Sequence, residues 1–573
     1  MVESVDAGGP DGYNVQMQWG VQIPLRDGVA LHATLYRPRD CSAPSPVILA
    51  MTPYIAQSHH DIGVYFAARG YRFAVVDVRG RGNSEGVFKY SSDEARDGHD
   101  IVEWLAQQAY CDGHVAMWGG SYGGYAQWAT ASQSPPHLAT IVPVASPFRG
   151  VDAPLHNNIF SPERLQWLTI ISGRALQDKI FSDTGFWRKQ FRTWFEAGRP
   201  FNELDKFLGV PSATFQEWLA HPHQDSYWDA YNPTAEQYAT MSMPILTITG
   251  IYDVSQLGAL AHYRHHLAHA SAEACAQHYL VIGPWDHAGT RTPMETVGGL
   301  EIGRSGCIDL LRLHAHWYAW RMEGGERPAF LKRNVAYYVT GADEWRYADS
   351  LAAITVRSDP YFLRSSGNPT SVWQSGLLTA DGPGTSGADH YSYDPRDISL
   401  APLQLLVDPT SLIDQRLVYA AGGKHLVYHS TPFDEYTEIS GFFRLRVWLS
   451  IDQPDTDFCV SIHDIGLDGT SVLLATDCLR ARYRVSLREE VLIRTAEPLC
   501  YDFERFPFTA RRIAAGHRLR LVIGPINSID REKNYNSGGV VSEESVEDAR
   551  TVTVRLFHDQ DHPSALYVPF GQL

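Results

Sequence analysis

Cysteine is scarce in this chain: seven in 573 residues, at positions 41, 111, 275, 307, 459, 478 and 500. The number is odd, the positions are scattered and no C-x-x-C pair occurs, so neither a disulfide framework nor a cysteine zinc site is suggested. Long apolar runs are missing as well. No stretch approaches the ~20 residues that a membrane-spanning helix needs. Basic charge is in deficit: 48 Lys+Arg against 65 Asp+Glu leave a net charge of −17. Such a chain is a poor binder of nucleic acid or of an anionic membrane surface. Met1 to Tyr13 lacks the basic start and apolar run of a secretory signal. The expectation is a cytoplasmic protein with no nucleic-acid and no membrane partner. What is present is ordinary globular composition, 44% hydrophobic and 20% charged, which excludes wholesale disorder. The length suggests about three domains. Aromatic residues reach 12%; most belong in cores, with some left to line a pocket.

Short apolar runs set the organisation. Val21–Leu25 and Val29–Leu35 flank an Asp27-Gly28 turn and read as a hairpin. Pro46–Met51, Phe73–Asp77, Val115–Trp118, Ala139–Val142, Ile245–Thr249 and Tyr279–Ile282 read as strands buried on both faces. Ser91-Ser-Asp-Glu94 reads as a capping box, followed by Ala95, Ile101, Val102, Leu105 and Ala106 at helical spacing. Strand–helix alternation of this kind defines a doubly wound α/β domain. It breaks at about Pro147–Met243, a ring-rich helical insertion. After about Trp345, runs such as Phe443–Leu449 and Leu519–Ile523 alternate between Gly, Pro and Asp turns, the pattern of an all-β sandwich.

The chemistry sits at strand ends. Gly119-x-Ser121-x-Gly123 directly follows Val115–Trp118 and precedes a helix-compatible run, the context of a nucleophile elbow. The turn is too tight for side chains beside the serine, hence the glycines. A serine nucleophile needs a base, and the base needs an orienting acid. Asp253 follows Ile245–Gly250 and His287 follows Tyr279–Ile282, which gives the order Ser, acid, His, each just past a strand. Asp286 is a rival acid, but adjacent side chains diverge, so it is poorly placed to back His287. His262, His265, His266 and His269 lie at i, i+4 spacing without the acid of an H-E-x-x-H site; they read as part of a solvated helix, and no metal is expected. Gly80-x-Gly82 with Gly86 lacks the spacing of a dinucleotide loop, and no cofactor is expected.

Ser121, Asp253 and His287 lie in motifs that resemble those of the cocaine-esterase and X-prolyl dipeptidyl-peptidase group of serine hydrolases. So do Thr52-Pro-Tyr54, Asp77-Val-Arg-Gly-Arg-Gly-Asn-Ser-Glu-Gly86, Pro454-Asp-Thr-Asp-Phe458 and Ala515-Gly-His-Arg-Leu-Arg-Leu521. The likeness spans nearly the whole chain. It implies an α/β-hydrolase domain (1–146 and 241–345), a helical cap (147–240) and a C-terminal jelly roll (346–573). It also implies an oxyanion hole made by the Tyr54 hydroxyl and the Tyr122 main-chain N–H. Strand position agrees for Tyr54, which follows the strand at 46–51 at its carboxyl end. The group's amino-acid-ester hydrolases carry carboxylates two and three residues after the catalytic acid. Here these positions are Ser255 and Gln256, which disfavours an α-amino acyl group. Gln57, Ser255 and Trp167 are candidate substrate contacts.

The expected activity is cleavage of a small-molecule carboxylic ester, or an amide, through an acyl-enzyme. An X-prolyl dipeptidyl peptidase, an acyltransferase with the same triad and a catalytically silent ligand-binding protein are the alternatives. A homo-oligomer is open.

Overall fold

The computed structural model describes residues 14–385 and 387–572; the reading of Met1 to Tyr13 lies outside them. Ten strands form the first sheet: β1 (Val15–Pro24), β2 (Ala30–Pro38), β3 (Ser45–Thr52), β4 (Arg72–Asp77), β5 (Cys111–Gly120), β6 (Leu138–Val144), β7 (Ile245–Tyr252), β8 (His278–Asp286), β9 (Val335–Val339) and β10 (Glu344–Ala348). Their spatial order is β1-β2-β4-β3-β5-β6-β7-β8-β9-β10. From β4 to β9 all neighbours are parallel, and antiparallel pairs close both edges. The apolar runs of β3 to β8 are buried almost throughout, because helices cover both faces. Parallel strands bring all their carboxyl ends to one rim, where ligands of such folds bind.

Helices α1 (His60–Ala67), α2 (Glu94–Ala106) and α3 (Tyr122–Ala131) cover the first half of the sheet. The capping box does not form. Asp93 is the N-cap and makes no side-chain cap bond. Glu94 turns inward instead, 4% exposed, and its carboxylate accepts a bond from the Tyr122 hydroxyl. The reason is packing: α2 lies so close to α3 that a methyl group on Gly98 would fall 1.9 Å from Thr130 Oγ1. Ile101, Val102 and Leu105 are buried as the periodicity predicts.

The insertion between β6 and β7 is helical, with α4 (Glu163–Ile170), α5 (Thr184–Ala197) and α6 (Ala213–Leu219) as its longer members. Its rings are deeply buried: Trp187, Phe191, Trp194, Phe215, Trp218 and Trp228 are all at most 2% exposed, and the last four share one apolar core with sheet residues such as Val47 and Met117. After it comes α7 (Gln256–His269), which corrects the reading of a solvated histidine helix in part: His265 and His269 are exposed, but the other two are not. His262 and His266 are fully buried. His262 stacks on Trp128 and shares hydrogen bonds with the Tyr238 hydroxyl and Pro147 O. His266 pairs with Met241 O and His278. Burial pushes His262 down to about 3, so it stays neutral and serves packing.

Beyond β10 the chain forms an all-β domain, a thirteen-stranded array around one core that includes Leu363, Tyr428, Leu445, Phe458, Leu521 and Val568. The Pro454–Phe458 motif supplies Asp455 and Asp457 to a buried ion cluster. Asp457 takes a forked pair from Arg480 at 2.8 and 3.1 Å, Glu532 meets the same guanidinium at 3.0 Å, and Asp455 holds Arg482 at 2.8 Å. Arg480 also reaches Asn158 O in the insertion, at 3.3 Å. Cys459 and Cys478 face each other across adjacent strands with sulfurs 3.0 Å apart, a proximity that linear spacing hides. No helix among the described residues is long and apolar enough to cross a membrane.

Gln256 joins the two domains. It is 1% exposed, donates to Gly250 O, Ile251 O and Phe508 O, and accepts from the Phe508 N–H at 2.6 Å. Replacing it with leucine leaves buried donors and acceptors unpaired, each costing about 1–3 kcal/mol. Urea denaturation of Gln256→Leu should therefore show a clear loss of stability, whereas an unchanged midpoint would deny Gln256 this joining role.

Candidate active site

β5 ends in Gly119-Gly120, and Ser121 stands at φ 57°, ψ −119°, a conformation that non-glycine residues rarely adopt. Its N–H is held by Val144 O at 2.9 Å. The strain is tolerated because the surroundings over-determine it. Gly119 has φ 149°, and a methyl group on Gly124 would lie 2.7 Å from Val144 O. Gln127, fully buried on α3, donates to Gly119 O, Gly123 O and Val142 O and accepts from the Val142 N–H. One side chain thus ties the turn to the neighbouring strand. The motif does not announce Gln127; its place two turns into the helix after the serine is the only signal.

Asp253 follows β7 and His287 follows β8, on the same rim as Ser121. His287 Nδ1 bonds Asp253 Oδ1 at 2.7 Å. The Asp253 side chain is fully buried. Burial alone would raise its pKa, but the facing imidazole and bonds from the Ser255 N–H and Thr249 hydroxyl, both 2.9 Å, outweigh it and hold the carboxyl below the usual range. The rival Asp286 is spent on a turn, accepting the Gly289 N–H at 2.7 Å.

Tyr54 follows β3. Its hydroxyl accepts from Trp167 Nε1 at 3.2 Å and lies alongside the Ser121 hydroxyl. With one acceptor site filled by Trp167, its own proton is free to be donated. Burial raises its pKa, so the proton stays on. Tyr122, next in sequence to Ser121, stacks its ring on Trp167 with centroids 6.4 Å apart, and Tyr90 meets Trp167 edge-on at 5.6 Å. Ser255 is buried and contributes its main-chain N–H to Asp253. Gln57 is exposed on the turn Ala56–His59. Gln256 is consumed by the domain junction and does not face a substrate.

The Asp77–Gly86 motif builds the wall around Tyr54. Asp77 accepts the Ala56 N–H at 2.8 Å. Arg81, fully buried, donates to Pro53 O at 2.8 Å and to the carbonyls of Ile170, Ser172, Gly173 and Ala175 in the insertion. Sequence reasoning assigns no role to Arg81, because its partners are main-chain oxygens that leave no residue-type pattern.

A tight strand-to-helix turn bearing a strained serine, with an aspartate two strands away and its bonded histidine three strands away on the same rim, is the arrangement of an α/β-hydrolase site. The comparisons with known proteins agree. Residues 27–289 match the X-Pro dipeptidyl-peptidase (S15 family) and residues 319–530 the X-Pro dipeptidyl-peptidase C-terminal non-catalytic domain. The cocaine esterase of Rhodococcus sp. (strain MB1 Bresler) is 27% identical, over 97% of this chain and 99% of its own length. An aminopeptidase from a marine sediment archaeon, Thaumarchaeota archaeon, superposes with a TM-score of 0.82 at 21% identity, covering 100% of this chain and 99% of that one. An α-amino acid ester hydrolase gives the same TM-score at 20% identity, with the same coverage. The chain belongs to the cocaine-esterase and X-prolyl dipeptidyl-peptidase group of serine hydrolases.

Glu94 generates a pH prediction. Burial pushes its carboxyl up to about 7. The unfolded chain releases this proton near pH ~4.3, so between these values the native state holds more protons and stability falls as pH rises. Glu94→Gln keeps an acceptor for Tyr122 and removes the titration. The melting temperature of the variant relative to the parent should rise between about pH 5 and about pH 8. A difference independent of pH would contradict a buried, titrating Glu94.

Proposed function

We propose that the chain hydrolyses small-molecule carboxylic esters through an acyl-enzyme formed on Ser121. The observation that carries this reading is the rim itself: Ser121 strained at the end of β5, beside the Tyr54 hydroxyl, with the His287–Asp253 pair bonded at 2.7 Å. Asp253 occupies His287 Nδ1, so Nε2 is the nitrogen left to take the serine proton. Ser121 Oγ attacks the carbonyl carbon. The carbonyl oxygen gains charge and is met by the Tyr54 hydroxyl and the Tyr122 N–H. His287 then gives the proton to the leaving alcohol, and Asp253 stabilises the imidazolium while it lasts. Water, deprotonated by the same nitrogen, releases the acid and restores Ser121.

An X-prolyl peptidase must also bind a free amine with a carboxylate. Asp152 and Glu94, acids close to this rim, are 3% and 4% exposed and already engaged. Asp152 accepts the Phe148 and Gly258 N–H groups, and Glu94 accepts from Tyr122. The ester reading is therefore preferred over the peptidase one. Transfer of the acyl group to an alcohol differs only in the final acceptor and is read from the products.

Two variants test the roles. Ser121→Ala should lose on the order of 10⁴-fold or more in turnover and all labelling by a fluorophosphonate probe, while melting like the parent. Activity within about tenfold of the parent would remove Ser121 from the role. Tyr54→Phe keeps the ring and deletes one donor to charge that exists only in the transition state. It should lower kcat by ~10²–10³ with KM nearly unchanged. An unaltered kcat would move the second oxyanion donor elsewhere.

A further inference from the structure

The described rim carries two guanidinium groups that the mechanism does not use. Arg291 follows His287 by four residues, and its stem lies across the backbone beside the nucleophile. A methyl group on Gly120 would sit 3.0 Å from Arg291 Nη1 and 3.3 Å from its Cδ. A side chain at Gly120 would crowd this approach. The Arg291 charge reaches both the Tyr54 hydroxyl and His59, and it helps burial depress His59 to about 4, so His59 offers no competing cation at neutral pH. The Arg291 main-chain N–H is bonded to Ala288 O at 3.0 Å, but among the described residues its guanidinium has no carboxylate partner. The residue is exposed, as a group meeting an incoming molecule must be.

Arg149 stands deeper. It is 4% exposed and lies between the Tyr90 and Tyr125 rings at 4.4 Å from each centroid. Its Nε and one Nη have no hydrogen-bond partner, and its charge also reaches the Tyr54 hydroxyl. A buried guanidinium with idle donors is costly unless something else meets it. In a chain of net charge −17, two unpaired cations acting on one hydroxyl beside the nucleophile make a local positive field against the global trend. An anionic substrate is the chemistry that such a field selects.

We propose that the substrate is an ester bearing a second, free carboxylate, and that Arg291 captures this carboxylate at the mouth of the site. The inference rests on the ester-hydrolase reading above and supplies its substrate class. The carboxylate belongs either to the acyl chain or to the leaving group, and both place an anion within reach of Arg291. Aromatic rings at Tyr90, Tyr122 and Trp167 suit the uncharged part of the molecule.

The test compares charged and neutral probes in pairs. Mono-p-nitrophenyl adipate against p-nitrophenyl hexanoate reports the acyl side. 3-Acetoxybenzoate against 3-acetoxybenzamide reports the leaving-group side. In the parent, one pair should favour the anion by about tenfold in kcat/KM, chiefly through KM, and the preference should shrink with added salt. Arg291→Gln should bring that ratio close to one, and Arg291→Lys should restore part of it. Arg333→Gln, the same charge change at an exposed ion pair with Asp349, should leave the ratio as in the parent. Ratios at or below one for both pairs in the parent would overturn the proposal. So would an Arg291→Gln variant that keeps the ratio, or one that lowers kcat equally for charged and neutral esters, since that is the signature of a general oxyanion field. Fluorophosphonate labelling of the parent separates the two levels. A labelled enzyme that turns over neutral esters without charge preference loses only this inference, whereas an unlabelled, inactive protein loses the hydrolase reading with it.

Discussion

One strained residue sets the terms for the rest of the site. Ser121 sits in a backbone conformation that costs of order 1–3 kcal/mol, and it persists because strand, helix and side chain all hold it. The Val144 carbonyl fixes its N–H, Gln127 pins the turn on both sides, and α3 can start only where the chain reverses. The return on that strain is geometric. The hydroxyl leaves the sheet at its carboxyl rim, the one place where residues after β3, β7 and β8 can meet it. The serine is not alone in its strain: Ile55, directly after Tyr54, stands at φ 68° and Ala145, just past β6, at φ 46°.

The electrostatics divide along the rim. On one side a fully buried aspartate faces an imidazole, and its carboxyl is held below the usual range, so it carries a negative charge beside His287. On the other side Tyr54 keeps its proton while two unpaired guanidiniums act on it. In the proposed reaction, charge develops on the substrate between these halves.

The strands, the elbow and the acid and histidine positions are legible in the sequence because each is a local pattern: an apolar run of fixed length, followed by glycine, aspartate or histidine. The all-β half is legible for the same reason, since Arg444–Ile451 alternates buried and half-buried residues before its last three. What depends on tertiary approach is not legible. Ser91–Glu94 has the letters of a capping box, yet the closeness of α2 and α3 at Gly98 and Thr130 draws Glu94 inward. The histidines of α7 look polar and solvated, yet Trp128 and Tyr238 cover His262 from elements far away in the chain. Gln256 stands three residues after Asp253, where the family resemblance directs attention to substrate binding, and only the fold reveals that its amide is committed to Phe508.

The carbonyls gathered by Arg81 have a bearing on how such an enzyme could be re-engineered. Pro53, next to Tyr54, and four residues of the helical insertion share one buried guanidinium. The insertion is therefore not a detachable module. A segment transplanted from a relative must present main-chain oxygens in the register of Ile170, Ser172, Gly173 and Ala175, or it strands a buried cation and loosens the turn that carries Tyr54. Loop swaps that respect side-chain identity but shift this register would disturb the turn carrying Tyr54 without touching any residue of the proposed triad.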